Sequence, residues 1–333
     1  MPFTLNENYL IRKVTPLEIS KIKNIDDLLE SIKYCGFQGR NLGKAAEILY
    51  EMFLDDTCLT ILTLSGAMVP AGMGMVICEL IENKLIDVII STGANITHDF
   101  IDAIVKGGHY LGSDKVDDED LFKHRINRIY DVFLPEINYN LAENELLRIL
   151  RIKFPDKKFE ITPSDFFQII GKEIKTRSIL SSAANNDIPI FVPAISDSEF
   201  ALDLVKFTET EGFDIDFRVL KDVKKFARII KKADSCGTFI IGGGVPRNWA
   251  QQIYPYIENV EKLRREDYEF GYKYSVRIHT ATEKDGGLSG CSLSESKSWG
   301  KYSIDAKYVS VWCDATIALP ILITGVMQRL NII

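Results

Sequence analysis

The chain has 333 residues, 46% of them hydrophobic and 26% charged, enough to bury a large core as one sizeable α/β domain or two small ones. A net charge of -7 without a long basic run argues against a nucleic-acid partner and suits a cationic small molecule. Six cysteines, never in a C-x-x-C pair, and only four histidines argue against a structural zinc or other metal site.

The N-terminus, Met1 to Arg12, is polar, and no apolar span is long enough to cross a membrane, so a soluble, cytoplasmic protein with reduced cysteines is expected. Residues 1–45 carry scattered helical periodicity (Ile19, Ile22, Ile25, Leu28, Leu29, Ile32) and a glycine-rich patch from Gly36 to Gly43. They read as an N-terminal helical arm, with a helix from Leu42 to Phe53 leading into a single domain over 46–333.

Beyond residue 58 apolar, β-branched runs recur at Leu59–Leu64, Ile86–Ile90, Ile188–Val192, Thr238–Ile241, Ser275–Ile278 and Val309–Trp312, separated by helical segments. Runs apolar on both faces predict a mostly parallel sheet covered by helices on both sides, a doubly wound, Rossmann-like α/β fold. Each run empties into a small or polar loop: Ser65-Gly66-Ala67, Ser91-Thr92-Gly93-Ala94-Asn95, Ala194-Ile195-Ser196-Asp197, Gly242-Gly243-Gly244, Thr280-Ala281-Thr282 and Asp314-Ala315-Thr316. In open parallel sheets ligands bind beyond the carboxyl ends of the strands, so these loops should converge on one site. No G-x-G-x-x-G or Walker sequence is present, and Gly242-Gly243-Gly244 alone is as well explained by a tight turn.

Between the runs, Thr162-Pro163-Ser164-Asp165 reads as a cap and first-turn proline opening a helix through Ile174. Residues 111–135 are charged, lack clear strand character and read as a loop and helix excursion containing His124 and Arg125. Tyr254 to Tyr272 is an aromatic, charged connector, read either as an interface or lid or as plain surface packing.

The most informative stretch is Asp285-Gly286-Gly287-Leu288-Ser289-Gly290, then Glu295, then Ser298-Trp299-Gly300-Lys301. An amine that acts as a nucleophile must be partly neutral, and an apolar wall such as Trp299 favours that for Lys301. Taken alone, a surface lysine after a Trp-Gly turn is the simpler reading.

Ser298-Trp299-Gly300-Lys301, preceded by Thr280, Asp285-Gly286 and Glu295 and followed by Trp312-Cys313-Asp314-Ala315, resembles the active-site region of deoxyhypusine synthases, and the resemblance extends from about Thr60 to Leu330. It implies a single NAD-binding catalytic domain of the deoxyhypusine synthase fold. In that family NAD takes a hydride from spermidine, an enzyme lysine takes over the aminobutyl piece as an imine, and the piece passes to an acceptor amine, a lysine of the translation factor 5A precursor. By resemblance Lys301 is the catalytic nucleophile, and Glu295, Trp299, Asn248, Asp203 and Arg277 fall at substrate-binding positions. Thr92, Gly93, Asp197, Gly243, Gly244, Thr280, Asp285, Gly286, Ser289, Asp314 and Ala315 fall at cofactor positions. The family also implies a homotetramer with sites between subunits.

The departures are specific. Asn248 replaces the family's histidine, Leu288 an acid, and Arg277 a tyrosine; Asp203 is displaced by one residue from the family's acid, and His98 stands where the family carries an acid. A pocket so altered points to a small acceptor, with homospermidine formed from spermidine and putrescine. The alternatives are modification of the 5A precursor or, from another class, a non-catalytic NAD and polyamine binder. A sirtuin-like deacylase is disfavoured by the missing zinc cysteine pairs, and an ordinary dehydrogenase by the lysine.

Overall fold

The computed structural model describes residues 10, 12–105, 108–262, 270–284 and 286–333. The six apolar runs form β1 (Cys58–Leu64), β2 (Val88–Ser91), β3 (Ile190–Phe191), β4 (Ser235–Ile241), β5 (Tyr272–His279) and β6 (Tyr302–Trp312). They lie in one sheet with the order β6-β5-β4-β1-β2-β3, every adjacent pair parallel. This is the doubly wound order, and its direction reverses between β1 and β4, where a crevice opens at the strand ends.

The runs lack polar alternation because both faces of the sheet are covered. Leu62, Leu64, Ile89, Phe239, Ile241, Val276 and Ile278 enter one core, with helices Phe37–Leu54, Gly74–Glu82, Gly93–Ile104 and Ala315–Arg329. Ile61, Val88, Ile90, Phe191 and Ile240 enter the other, beneath helices Val219–Ile230 and Gly244–Glu261. The run at Ile188–Val192 pairs over only two residues, since Pro189 and Pro193 flank it and have no N–H to give.

Two expectations are corrected. Residues 111–135 are not only loop and helix: Tyr110–Leu111, Ile126–Ile129 and Val132–Pro135 form an antiparallel three-stranded sheet around helix Asp118–Lys123. Strands this short and half exposed leave little hydrophobic period. The predicted helix from Leu42 begins at Phe37, and most of the glycine patch lies within it, with Gly43 buried. A Cβ on Gly43 would sit 2.6 Å from the Leu29 carbonyl oxygen, so this glycine lets helix Ile25–Ile32 lie directly on Phe37–Leu54.

As expected, Thr162 caps a helix, here Pro163–Glu173, accepting from the Asp165 amide at 3.1 Å. Among the described residues no helix is long and apolar enough to cross a membrane. The cysteines are free thiols, and no described His, Cys, Asp and Glu cluster could hold a metal ion.

Candidate active site

The position of Lys301 is set by the way a short helix ends. Ser292 caps helix Leu293–Lys297 by accepting from the Glu295 amide at 3.1 Å, which fixes Glu295 in the first turn. The chain leaves this helix through Gly300 at φ 68°; the Gly300 amide donates to the Lys297 carbonyl at 2.9 Å and the Lys301 amide to the Ser296 carbonyl at 3.3 Å. This pair of bonds is a Schellman ending, which needs a left-handed residue where Gly300 stands. Trp299 and Lys301 therefore flank the turn on one side, with Lys301 Nζ 5.9 Å from the Trp299 ring centre.

They open onto a cleft of about 430 Å³ between helix Gly244–Glu261 and the segment from Leu288 to Lys301. Arg247, Asn248, Leu288, Cys291 and Glu295 line it with them. Burial, with the Arg247 guanidinium adding to it, lowers the Lys301 pKa, while Cys291 and Glu295 act in the opposite direction. Desolvation thus favours the neutral amine that a nucleophile needs, and the carboxylate keeps cation binding possible.

Two arginines hold the cleft wall in place. Arg247, 2% exposed, donates to the carbonyls of Cys291 at 2.6 Å and Ser292 at 3.4 Å. Arg277, fully buried, donates to the carbonyls of Gly242 at 2.9 Å, Cys291 at 3.0 Å and Ser289. Buried cations bonded to backbone carbonyls are structural ties, although the buried Nε of Arg247 has no hydrogen-bond partner among the described residues. Arg277 accordingly stands behind the cleft and is not among its lining residues.

At the strand ends the loops are joined in pairs. Ser65 Oγ donates to the Gly243 carbonyl at 2.5 Å, and the Gly244 amide donates to Ser289 Oγ at 3.0 Å. The amide side chain of Asn95 donates to the Gly66 carbonyl and accepts from the Met68 and Val69 amides. Gly93 is pressed against the Asp197-Ser198 turn, where a Cβ would meet Ser198 Cβ at 2.4 Å. Thr92 and Asp314 cap helices Gly93–Ile104 and Ala315–Arg329, and Ala315 opens the latter. The Cys313 amide donates to the His279 carbonyl at 3.0 Å, which brings Thr280 and Asp314 to adjacent strand ends.

The candidate residues therefore fall into two groups. Lys301, Trp299, Glu295 and Asn248 line the cleft, on the sheet face covered by helix Gly244–Glu261. Thr92, Gly93, Asp197, Gly243, Gly244, Thr280, Ser289, Asp314 and Ala315 occupy the strand-end loops, and Gly286 lies on the exposed segment leading to Ser289. Asp203 belongs to helix Glu199–Thr210, away from the cleft, where burial and then Glu143 and Glu199 push its carboxyl up to about 7. Asp285 lies outside the described residues, as does part of the connector from Tyr254 to Tyr272. Reasoning from sequence passed over Asn95 and Ser65 as loop ties and Arg247, Gln251 and Cys291 as cleft residues; the seven-residue gap from Gly244 to Gln251, two helical turns, was the only available signal.

The family model for deoxyhypusine synthase matches residues 27–326. A protein of Methanosarcina mazei named "Probable deoxyhypusine synthase 2" is 38% identical over 321 residues, covering 94% of this chain and 89% of that protein. An Archaeoglobus fulgidus protein of the same name is 39% identical over 295 residues, covering 88% of this chain and 94% of its own length. A solved structure of a deoxyhypusine synthase from Entamoeba histolytica superposes with a TM-score of 0.63 at 18% identity, covering 94% of this chain and 96% of that one, and shows the shared fold.

Proposed function

The chain belongs to the deoxyhypusine synthase family, and from that premise we propose that it transfers the aminobutyl group of spermidine, through an imine on Lys301, to an amine acceptor. The acceptor proposed is a small diamine, putrescine, and the product homospermidine. The observation that carries the reading is Lys301 itself: an amine of lowered pKa beside an aromatic face and Glu295 in a cleft of about 430 Å³.

A nicotinamide dinucleotide suits the strand-end crevice. Gly244, at φ 59°, begins an 18-residue helix, and a Cβ there would meet nothing within 4 Å. A phosphate fits such an opening because the positive end of the helix dipole favours an anion. When bound, the cofactor supplies a reversible hydride acceptor. Trp299 holds the methylene chain of the polyamine, and Glu295 holds a terminal ammonium. The neutral Lys301 amine adds to the oxidised carbon of spermidine, that carbon's bond to the departing nitrogen breaks, and diaminopropane leaves with the proton. The acceptor amine then displaces Lys301 from the same carbon, and return of the hydride gives a saturated product.

The cleft and the helix carrying Thr92 and Gly93 lie on opposite faces of the sheet, and Trp299, Trp312 and Ile317 are exposed. This favours a site completed between two copies, within the family's tetrameric arrangement. Mixing Lys301→Ala chains with Asp314→Asn chains should then restore turnover that neither has alone; a mixture as inactive as its parts would confine the site to one chain.

Asn248 and Leu288 in the cleft favour the small acceptor, because fewer charged groups remain to orient a large one. The names of the archaeal relatives favour a second reading, with a lysine of the translation factor 5A precursor as acceptor. The test is incubation with NAD and spermidine, with and without putrescine, for wild type and Lys301→Ala, with chromatography of the amines. Diaminopropane and homospermidine formed only with Lys301 intact support the diamine acceptor. Diaminopropane without homospermidine moves the acceptor to a protein lysine, and no spermidine turnover removes both.

A further inference from the structure

Hydride leaves a carbon beside nitrogen only when that nitrogen has a lone pair, whereas a polyamine in water at neutral pH is an ammonium. A site of the kind proposed above needs a base beside the crevice, and the histidine at the family's position is here Asn248.

Helix Gly93–Ile104 carries His98 and Asp102, and His109, just before the strand Tyr110–Leu111, joins them in a chain of three titratable groups. Asp102 Oδ1 is 2.6 Å from His109 Nδ1, and His109 Nε2 is 3.0 Å from His98 Nδ1. A carboxylate can only accept, so His109 donates from Nδ1. In the uncharged chain its Nε2 is then an acceptor, and His98 must donate from Nδ1. The other nitrogen, His98 Nε2, is left with its lone pair and has no hydrogen-bond partner among the described residues; His98 itself is half-buried.

The surroundings fix this arrangement. The His109 side chain is 8% exposed, and the Asn138 amide donates to the Gly108 carbonyl at 2.7 Å, holding the strand that presents it. A Cβ on Gly108 would sit 2.6 Å from Asp102 Oδ1, so glycine there makes room for the carboxylate. His98 stands five residues beyond Gly93, about 7.5 Å along the helix from the crevice. His279 is buried with Nε2 on Ser310 Oγ at 2.8 Å, and His124 is exposed on the helix ending at Lys123.

We propose that His98 Nε2, acting across the contact between two copies because the Lys301 cleft of its own chain lies on the opposite face of the sheet, is the base that takes the proton from the secondary ammonium of the polyamine, with His109 and Asp102 as positioning residues that fix its tautomer and share the charge. The proton arrives on Nε2, the Nδ1 proton of His98 passes to His109 Nε2, and the positive charge comes to rest beside Asp102. No bond to carbon changes in this step. This rests on the aminobutyl-transfer reading.

Other titratable groups packed against this helix are fewer. Tyr139, on helix Glu136–Lys153, has its ring 6.3 Å from that of His98, and burial followed by Glu199 pushes its hydroxyl up to about 12. Helix Glu199–Thr210 brings Glu199 and Asp203. From within the helix, Asp99 accepts from the Ile179 and Leu180 amides at 2.8 Å each, and burial raises its pKa to about 6. Burial, followed by His109, lowers the pKa of His98 to about 4, while Asp102 raises it, so the imidazole is neutral at neutral pH and depends on Asp102 for its basicity.

The test has two readouts. Nitrogen-15 NMR of histidine-labelled protein without ligands should show both His98 and His109 as Nδ1–H tautomers, and His109→Phe should return His98 to the Nε2–H form preferred by free imidazole. His98 already in the Nε2–H form in the wild type overturns the proposal whatever the enzyme does. In the second, diaminopropane release with NAD and spermidine should fall about 10²–10⁴-fold in His98→Gln. Asp102→Asn should lower the plateau and move the acid limb of the pH profile down, because the anion that supports protonation is gone. A His98→Gln protein with wild-type release overturns the proposal while leaving aminobutyl transfer standing. A wild type that never cleaves spermidine removes the polyamine reading and this role for His98 with it, while the tautomers remain a separate observation.

Discussion

Arg247 and Arg277 donate to one carbonyl oxygen, that of Cys291, at 2.6 and 3.0 Å. Two buried guanidiniums therefore meet at the turn that leads into the helix carrying Glu295 and on to Lys301. Burial and, next, Arg247 lower the Arg277 pKa, yet its three carbonyl partners lie on two separate loops and tie them together.

Removing that tie should cost stability as well as turnover. Arg277→Leu takes the guanidinium from the Gly242 and Ser289 carbonyls and leaves that of Cys291 to Arg247 alone, and a loss on the order of 3 kcal/mol is expected from denaturant unfolding. An Arg277→Leu protein that unfolds like wild type would remove the structural role given to this residue.

Gly300 supplies the left-handed residue between Trp299 and Lys301. Gly300→Ala should cost about 1 kcal/mol in unfolding free energy, since a side chain there is strained. It should also slow diaminopropane release by more than its stability effect predicts, because the same strain swings Lys301 out of the cleft. Equal release rates at saturating spermidine would show that the turn does not position the amine.

The charge environment of Lys301 gives a pH prediction. Burial and Arg247 lower its pKa, so the neutral fraction, and with it the rate of covalent capture, should climb with pH along a limb below that of an ordinary lysine. Glu295→Gln should move the limb lower still, and Arg247→Gln should move it up. The rate at which Lys301 is trapped by a small aldehyde and borohydride, followed by peptide mass spectrometry across pH, measures the limb directly. Identical limbs for all three proteins would contradict the electrostatics described.

Asp203 provides a stability test far from the cleft. Its carboxyl is raised from 3.8 to about 7 by burial, then Glu143 and Glu199. Between those values the native protein holds a proton that the unfolded chain has released, so stability falls as pH rises through the window. Asp203→Asn should therefore raise Tm at about pH 8 and give no gain at about pH 2.5, below both values. The opposite pattern would mean that Asp203 is paired rather than crowded.

The sheet was legible in the sequence because β1 to β5 are buried on both faces, so each announces itself as an apolar run without needing a partner, whereas β6 is exposed at Ile304, Asp305 and Lys307 and only its end from Val309 reads as such a run. The short strands at Ile126–Ile129 and Val132–Pro135 were not, since they are half exposed and their pairing is specified by a tight turn through Tyr130 at φ 55°. Lys301 and Trp299 could be found as a motif. The role of Arg277 could not, because a buried arginine bonded to carbonyls looks in sequence like any other arginine. The Asp102, His109 and His98 chain was equally hidden: His109 reaches the helix from the start of the small antiparallel sheet, a return no periodicity encodes.

The most direct test of the central claim is reduction with borohydride during turnover of spermidine and NAD, followed by peptide mass spectrometry. The account predicts one aminobutyl group fixed on the peptide carrying Lys301, absent without NAD and absent in Lys301→Ala. Spermidine cleavage that proceeds with Lys301 unmodified, or an adduct on another lysine, would contradict it.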